Sequence, residues 1–342
     1  MIDRSPTIGT DFTPDDVADS AALAELYEPI RHQLERAARI MEDELDSSLT
    51  CVNELCAHVK TYQGKRIRAA LLLLSGGASG RITDDHCVLA AVVELVHLAT
   101  LLHDDVLDEA DTRRRRATIN NMQGNATAVL LGDYFISHAY HLCSSLADQY
   151  ASRAIGAATN TVCEGELLQV FQRDNARLTE QEYLQIIEKK TAALTGTCGA
   201  LGARYAGADA RTVAALRAYG ISVGIAFQIV DDVLDLAGDE SRTGKTRGRD
   251  LAMGEATLPY IHCLASLPPG DSDRLRDLIT GRTVAAESEI QAFLQRTNSV
   301  AYAFDTARRH IDDALTHLSA CPDSPERGAL AAMAEFILRR RY

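Results

Sequence analysis

The chain has 342 residues, 46% of them hydrophobic, and a formal net charge of −13. That length suits one large domain or two smaller ones with a substantial core, and the acidity argues against the basic face that nucleic-acid binding needs. With eight prolines, no tryptophan and few turn clusters, the composition favours an all-α protein over an all-β one.

Residues 1–17 are polar and acidic, without the basic start and apolar stretch of a secretory signal, and read as a loose leader ahead of a single domain over 18–342. Helical periodicity starts near Ala18 and runs, with a break at Pro29, to about Asp46. A helix over 52–59 precedes a Gly-Lys-Arg turn at Gly64, and 67–74 reads as a buried helix stopped by Gly76-Gly77. Thr83-Asp84-Asp85 supplies an N-cap for the segment 87–108, which is apolar almost all round and belongs in the core. After a basic loop at 113–116, helices are expected over 124–147, 152–173, 180–194 and 196–206. A long apolar helix over 212–236 leads into a polar loop at 238–248, and weaker helices run from about 256 to the C-terminus. There is no low-complexity stretch and no solenoid period, so one helical domain is expected. The eight cysteines are scattered without a CxxC pair, and read as reduced, mostly buried thiols of a cytoplasmic protein, not as zinc ligands. No run of about 20 uncharged apolar residues predicts a transmembrane helix.

The pentapeptide Asp-Asp-Val-Leu-Asp occurs twice, at 104–108 and 231–235, each time at the end of a long apolar helix. Residues four apart share a helix face, so Asp104 projects with Asp108 and Asp231 with Asp235. Like charges at that spacing destabilise a bare helix by about 0.2–0.5 kcal/mol, and burial raises the cost. A helix C-terminus is also the wrong end for anions. One such cluster reads as a solvated helix end; two identical ones call for a compensating cation. Magnesium takes oxygen ligands, and commonly one or two carboxylates together with substrate phosphates, so two facing clusters would hold a metal-bound diphosphate.

Cationic residues accompany them. Lys65 and Arg68 lie three apart at the start of a buried helix, and Arg113 to Arg116 follow the first acidic copy. Taken separately these are surface patches; in an acidic protein, beside an aspartate cluster, they suit phosphate, which guanidinium groups and helix N-termini both bind. His97 sits two turns before Asp104, where a core histidine is the commoner reading and ligand contact the sharper one. Lys190-Thr191 and Gln228 do not stand out on their own.

At these residues the chain resembles the trans-type polyprenyl diphosphate synthases, over roughly residues 25–342. The strings are Glu94-Leu-Val-His-Leu-Ala-Thr-Leu-Leu-His-Asp-Asp-Val-Leu-Asp-Glu109 with Arg113-Arg114, and Gly224-Ile-Ala-Phe-Gln-Ile-Val-Asp-Asp-Val-Leu-Asp235 with Gly244-Lys245. Gly64-Lys65-Arg66-Ile67-Arg68, Gly132-Asp133-Tyr134, Glu164-Gly165-Glu166, Lys190-Thr191-Ala192 and Arg340 support them. The resemblance implies a helical bundle around a central apolar cavity (the isoprenoid synthase type I fold), a homodimer, and head-to-tail condensation of isopentenyl diphosphate with an allylic diphosphate. By position it gives Asp104, Asp108 and Asp231 to magnesium, with Asp105, Asp232 and Asp235 supporting. It gives Arg113, Lys190, Gln228 and Lys245 to the allylic diphosphate side, and Lys65, Arg68, His97 and Arg114 to isopentenyl diphosphate. Thr191 and Gln228 would face the developing allylic cation. The chain departs from the family pattern at Gln63 for Gly, Ala69 for Pro, Arg115 for Gly and Glu255 for Lys.

Product length in this family depends on what blocks the cavity below the first acidic motif. Ala99 and Thr100 lie five and four residues before Asp104, about 6–7.5 Å deeper at about 1.5 Å per residue. Neither is an aromatic plug. The string is most similar to medium- and long-chain synthases, which implies a product of roughly six to ten isoprene units in a mostly apolar pocket. A bulky neighbour such as Met122 or Leu130 would instead make it a short-chain (geranylgeranyl or farnesyl) synthase. A terpene cyclase normally lacks the second motif, and a non-catalytic subunit usually loses one or both.

Overall fold

The computed structural model describes residues 21–62, 64–113, 116–237, 248–281 and 287–339. The proposed leader, Gln63, Arg114, Arg115, most of the 238–248 loop with Lys245, and Arg340 lie outside the described residues. The chain is all-α. In order the principal helices are α1 (Arg31–Glu44), α2 (Thr50–Lys60), α3 (Ile67–Ser79) and α4 (Asp84–Leu107), then α5 (Ile119–Gln123), α6 (Asn125–Ser144), α7 (Tyr150–Gln172) and α8 (Glu180–Ile187). A π turn over Glu188–Ala192 joins α8 to α9 (Ala193–Tyr205). There follow α10 (Ala210–Ala237), α11 (Arg249–Ala252), α12 (Leu258–Ser266), α13 (Pro269–Gly281), α14 (Glu287–Arg296), α15 (Ser299–His317) and α16 (Pro325–Arg339). Among the described residues, β-structure is confined to a small antiparallel pairing of Thr112 with Ala117 and Arg113 with Arg116.

Helices α4 and α10 are the apolar staves that the sequence placed in the core. Both are long and apolar enough to cross a membrane, yet most of each is covered by other helices. Helix α4 packs on α1, α3 and α6, and α10 on α9 and α15. Its start is fixed as Thr83 predicts, with an unexpected partner. The Thr83 amide donates to His86 Nδ1 at 3.0 Å, and His86 Nε2 lies 2.9 Å from the Gly202 carbonyl. One buried histidine thus closes the cap of α4 and ties it to α9. A smaller apolar cluster of Leu236, Tyr260, Leu275, Phe293 and Leu294 lies under α12–α14, and Val300 packs against both it and the main core. The eight cysteines are free thiols, buried except for Cys51 and Cys163.

Two expectations need correction. Gly76-Gly77 does not stop α3, which runs on to Ser79. A Cβ at Gly76 would sit 2.5 Å from the His86 ring, and one at Gly77 would sit 2.5 Å from Glu326 Cγ. The pair therefore permits close packing inside a helix and does not punctuate its end. The segment 180–194 is also not one α-helix, because the π turn interrupts it at Glu188.

Candidate functional site

Each acidic motif splits its aspartates in the same way. The first and last are half-buried, while the second turns into the protein, with Asp105 1% and Asp232 6% exposed. Asp108 caps α4, and its amide bonds to the Asp104 carbonyl at 2.8 Å, so the two still share a face. Asp105 Oδ1 accepts from Arg113 Nε at 2.9 Å, while its Oδ2 is buried without a hydrogen-bond partner. Asp232 is held on both oxygens, by Tyr183 Oη at 2.7 Å and Gln228 Nε2 at 2.8 Å. Gln228 in turn accepts from the Thr191 hydroxyl at 2.8 Å. This chain runs from the π turn to the second motif, and Tyr183 in it had no signal in the sequence.

Lys190 links the first motif to acidic groups beside the second. Its ammonium is 3.0 Å from Glu166 Oε2. Burial works against that charge, but Glu166, Asp104 and Glu255 outweigh it and hold the lysine firmly protonated. Lys190 also acts on Asp250, which follows the second motif. Burial pushes the Asp104 carboxyl up to about 7; Glu166 and Asp108 add to the rise and Lys190 opposes it. Burial raises Asp232 to about 7 as well, against its hydrogen bonds from Tyr183 and Gln228. Asp250 is raised by burial and then by Asp232, Asp235 and Glu255. Its amide binds Asp235 Oδ2 at 3.2 Å. Among the described residues, and without a cation, the carboxylates of this centre outnumber its basic groups.

That surplus and the all-oxygen donor set of Asp104, Asp108, Asp231 and Asp235 fit a hard divalent cation. Arg68 lies deep in the same region. Burial lowers its pKa, while Glu94, Asp231 and Asp104 act in the opposite direction. Glu94, raised by burial, accepts from the Ala69 amide at 3.1 Å. The Lys65 ammonium stands 5.5 Å from the Phe336 ring centroid. His97 is half-buried, Ala99 is fully buried in the core and Thr100 is half-buried, its hydroxyl turned back onto the His97 carbonyl at 2.8 Å. Met122 and Leu130 are 45% and 69% exposed, so neither is a plug within this chain.

Sequence reasoning missed Arg173, and took Glu255 only as a departure. Arg173 Nη2 lies 3.2 Å from Glu255 Oε1 and 3.4 Å from Asp108 Oδ1; Arg249 approaches the other Asp108 oxygen at 3.6 Å. The acidic residue at 255 thus comes with an arginine from the end of α7. The backbone is strained to place these groups. Arg66, Glu109 and Asp174, each next to or near a site residue, have φ of 48°, 48° and 61°, a conformation costing of order 1–2 kcal/mol for an L-residue. The Asp174 amide bonds to the Gly254 carbonyl at 2.8 Å, which joins the two loops. Arg173→Glu is expected to impair catalysis by placing acid against acid. Arg173→Glu with Glu255→Lys is expected to recover part of it, with a coupling of about 0.5–3 kcal/mol in log kcat/KM. Strict additivity of the two changes would show that the pair does not act as a unit.

Two aspartate motifs on packed helices, with buried basic groups beside them, make a site suited to a metal-bound diphosphate. The polyprenyl synthetase family profile matches residues 50–297. Octaprenyl diphosphate synthase of Escherichia coli is 34% identical over 306 residues, covering 89% of this chain and 94% of that enzyme. A decaprenyl diphosphate synthase structure from Rhodobacter capsulatus superposes with a TM-score of 0.88 at 31% identity, covering 94% of this chain and 99% of that one. A polyprenyl synthase from Caulobacter crescentus, complexed with calcium and isoprenyl diphosphate, gives 0.88 at 31% identity, covering 94% and 98%. The chain belongs to the polyprenyl synthetase family and is a prenyltransferase.

Proposed function

We propose that this enzyme condenses isopentenyl diphosphate head-to-tail with an allylic diphosphate, with magnesium as its metal, to give a product of roughly six to ten isoprene units in a mostly apolar pocket. The carrying observation is that the two acidic motifs act on shared buried groups: Asp104 and Asp231 both act on Arg68, and Glu255 acts on both Lys190 and Asp232. Asp104, Asp108, Asp231 and Asp235 would hold the metal, and Asp105 and Asp232 would anchor the motifs from within. When bound, the metal withdraws charge from the diphosphate leaving group.

The protein's own groups do the rest. Lys190 and Arg113, with Lys245, hold the allylic diphosphate, and Arg173 adds a guanidinium beside Asp108. Lys65, Arg68, His97 and Arg114 hold isopentenyl diphosphate. The Gln228 carbonyl oxygen uses one lone pair on Thr191 and keeps the other for the developing cation. The apolar helices exclude the water that would quench that cation. No protein base is required, because the departing diphosphate can accept the proton.

Exposed apolar side chains on α6 and α7, among them Leu130 at 69%, Leu167 at 59% and Phe171 at 83%, support a homodimer through these helices. The octaprenyl and decaprenyl synthases among the relatives support the long product.

The test is chromatography of radiolabelled products made from farnesyl diphosphate and isopentenyl diphosphate with magnesium. Products beyond four units are expected, and termination at three or four would make this a short-chain enzyme. Thr100→Phe, whose wild-type hydroxyl serves only its own helix, and Ala99→Phe are expected to shorten the product. Unchanged length in both would remove α4 as the limiting wall.

A further inference from the structure

Helix α1 ends at Glu44, whose side chain is only 13% exposed and lies between two imidazoles of α6. His138 Nδ1 is 2.8 Å and His141 Nδ1 2.7 Å from the same atom, Glu44 Oε1. One ligand-capable atom from each of the three side chains lies within 4.8 Å of the others. None of the three belongs to the acidic motifs or to their basic partners.

The surroundings favour a cation. Glu44 is the last residue of α1, where unpaired carbonyls carry the negative end of the helix dipole. Glu42, Asp43 and Asp46 add acid to the same turn, against Lys60, which stands 3.8 Å from Glu42. The spacing of the imidazoles, three apart on one helix, directs both toward the end of α1. The Tyr134 ring packs edge-on against His138 at 4.3 Å between centroids and fixes that imidazole.

We propose that Glu44, His138 and His141 form a binding site for a divalent transition metal, with zinc the best match. Two neutral imidazoles and one carboxylate are a three-ligand zinc set that leaves a fourth position for water. Zinc here does not need the paired cysteines that the sequence lacks. The imidazoles also separate this site from the all-oxygen motifs, since imidazole suits zinc, copper and nickel while carboxylate and water suit magnesium. Corners of a tetrahedron with metal bonds of about 2.0–2.1 Å stand roughly 3.3 Å apart. The hydrogen-bonded atoms therefore need to part by about half an ångström, and the Nδ1 protons leave as the metal enters. Helices α1 and α6 both pack on α4, which carries Asp104. A metal joining them would brace that helix from outside the chemistry.

The experiment titrates full-length protein, in excess magnesium, with cobalt(II) chloride. Wild type is expected to take up a single equivalent that gives the strong visible absorption of a low-coordinate nitrogen-containing site and is displaced by zinc. His138→Ala with His141→Ala should abolish that absorption. His141→Ala alone, at a side chain 76% exposed, should keep the fold and the prenyl-transfer rate yet weaken cobalt binding by at least about 10-fold, the lower end of what losing even an outer-shell partner costs. Glu44→Gln should weaken it in the same direction. No visible absorption in wild type would overturn the proposal, and so would absorption that is unchanged in the double variant.

Discussion

Asp104→Asn is expected to lower kcat/KM by about 10³-fold, since a metal's hold on a leaving group is worth several kcal/mol and each 1.36 kcal/mol is a factor of ten. The same change should leave the metal-free protein as stable as wild type or more so at neutral to mildly alkaline pH. Burial raises the Asp104 carboxyl to about 7, so the fold disfavours its ionised form. The native state binds the proton more tightly than the unfolded chain does. The cost is absent below the ordinary carboxylate range, develops as pH rises through it, and is complete above about pH 7. A neutral isostere removes it. Activity and stability should therefore move apart, as expected for a group placed for function. Thermal melts of metal-free protein near pH 8 and steady-state assays with magnesium measure the two effects. A variant that lost stability and activity together would make Asp104 a structural residue.

Gly224→Ala is expected to reduce kcat by about 10²-fold although residue 224 bears no functional group. A Cβ there would lie 2.3 Å from Thr195 Oγ1 and 2.7 Å from Ala192 Cα. On the other side, a Cβ at Gly165 would lie 2.6 Å from the Lys190 amide nitrogen. The two glycines thus clamp the π turn that presents Lys190 and Thr191. Such turns appear mostly where a helix must aim side chains that a regular helix would misplace. The added methyl has to shift backbone, at about 1–3 kcal/mol of overpacking, and a displacement of roughly 1 Å at the positioning groups can cost 10²-fold in rate. Gly165→Ala should act in the same direction. Full activity with a normal melting temperature would mean that the turn tolerates movement and that its position is not what limits catalysis.

Much of the molecule was legible in the sequence because the signals were local. Apolar runs marked α4 and α10, and the repeated pentapeptide marked the proposed metal-binding aspartates through the four-residue helical spacing. The misreadings came where distant contact overrides local preference. Gly76-Gly77 looks like a helix stop, but α3 continues to Ser79, and the missing side chains leave room for His86 and Glu326 to pack against it. The stretch 180–194 looks like one helix, and becomes a π turn between Gly165 and Gly224.

The sequence alone determined the all-α class and the family, and it singled out the two acidic motifs, since composition, periodicity and i,i+4 spacing are properties of neighbouring residues. Only the tertiary structure decided which aspartate of each motif turns inward, because that depends on Arg113 in one case and on Tyr183 and Gln228 in the other. It also brought Arg173 from the end of α7 to Glu255 and Asp108, and Glu44 to His138 and His141. These groups are separated by 65 to 97 positions in the chain. A charge's partner is set by what the packed helices bring within a few ångströms, and no local pattern encodes that distance.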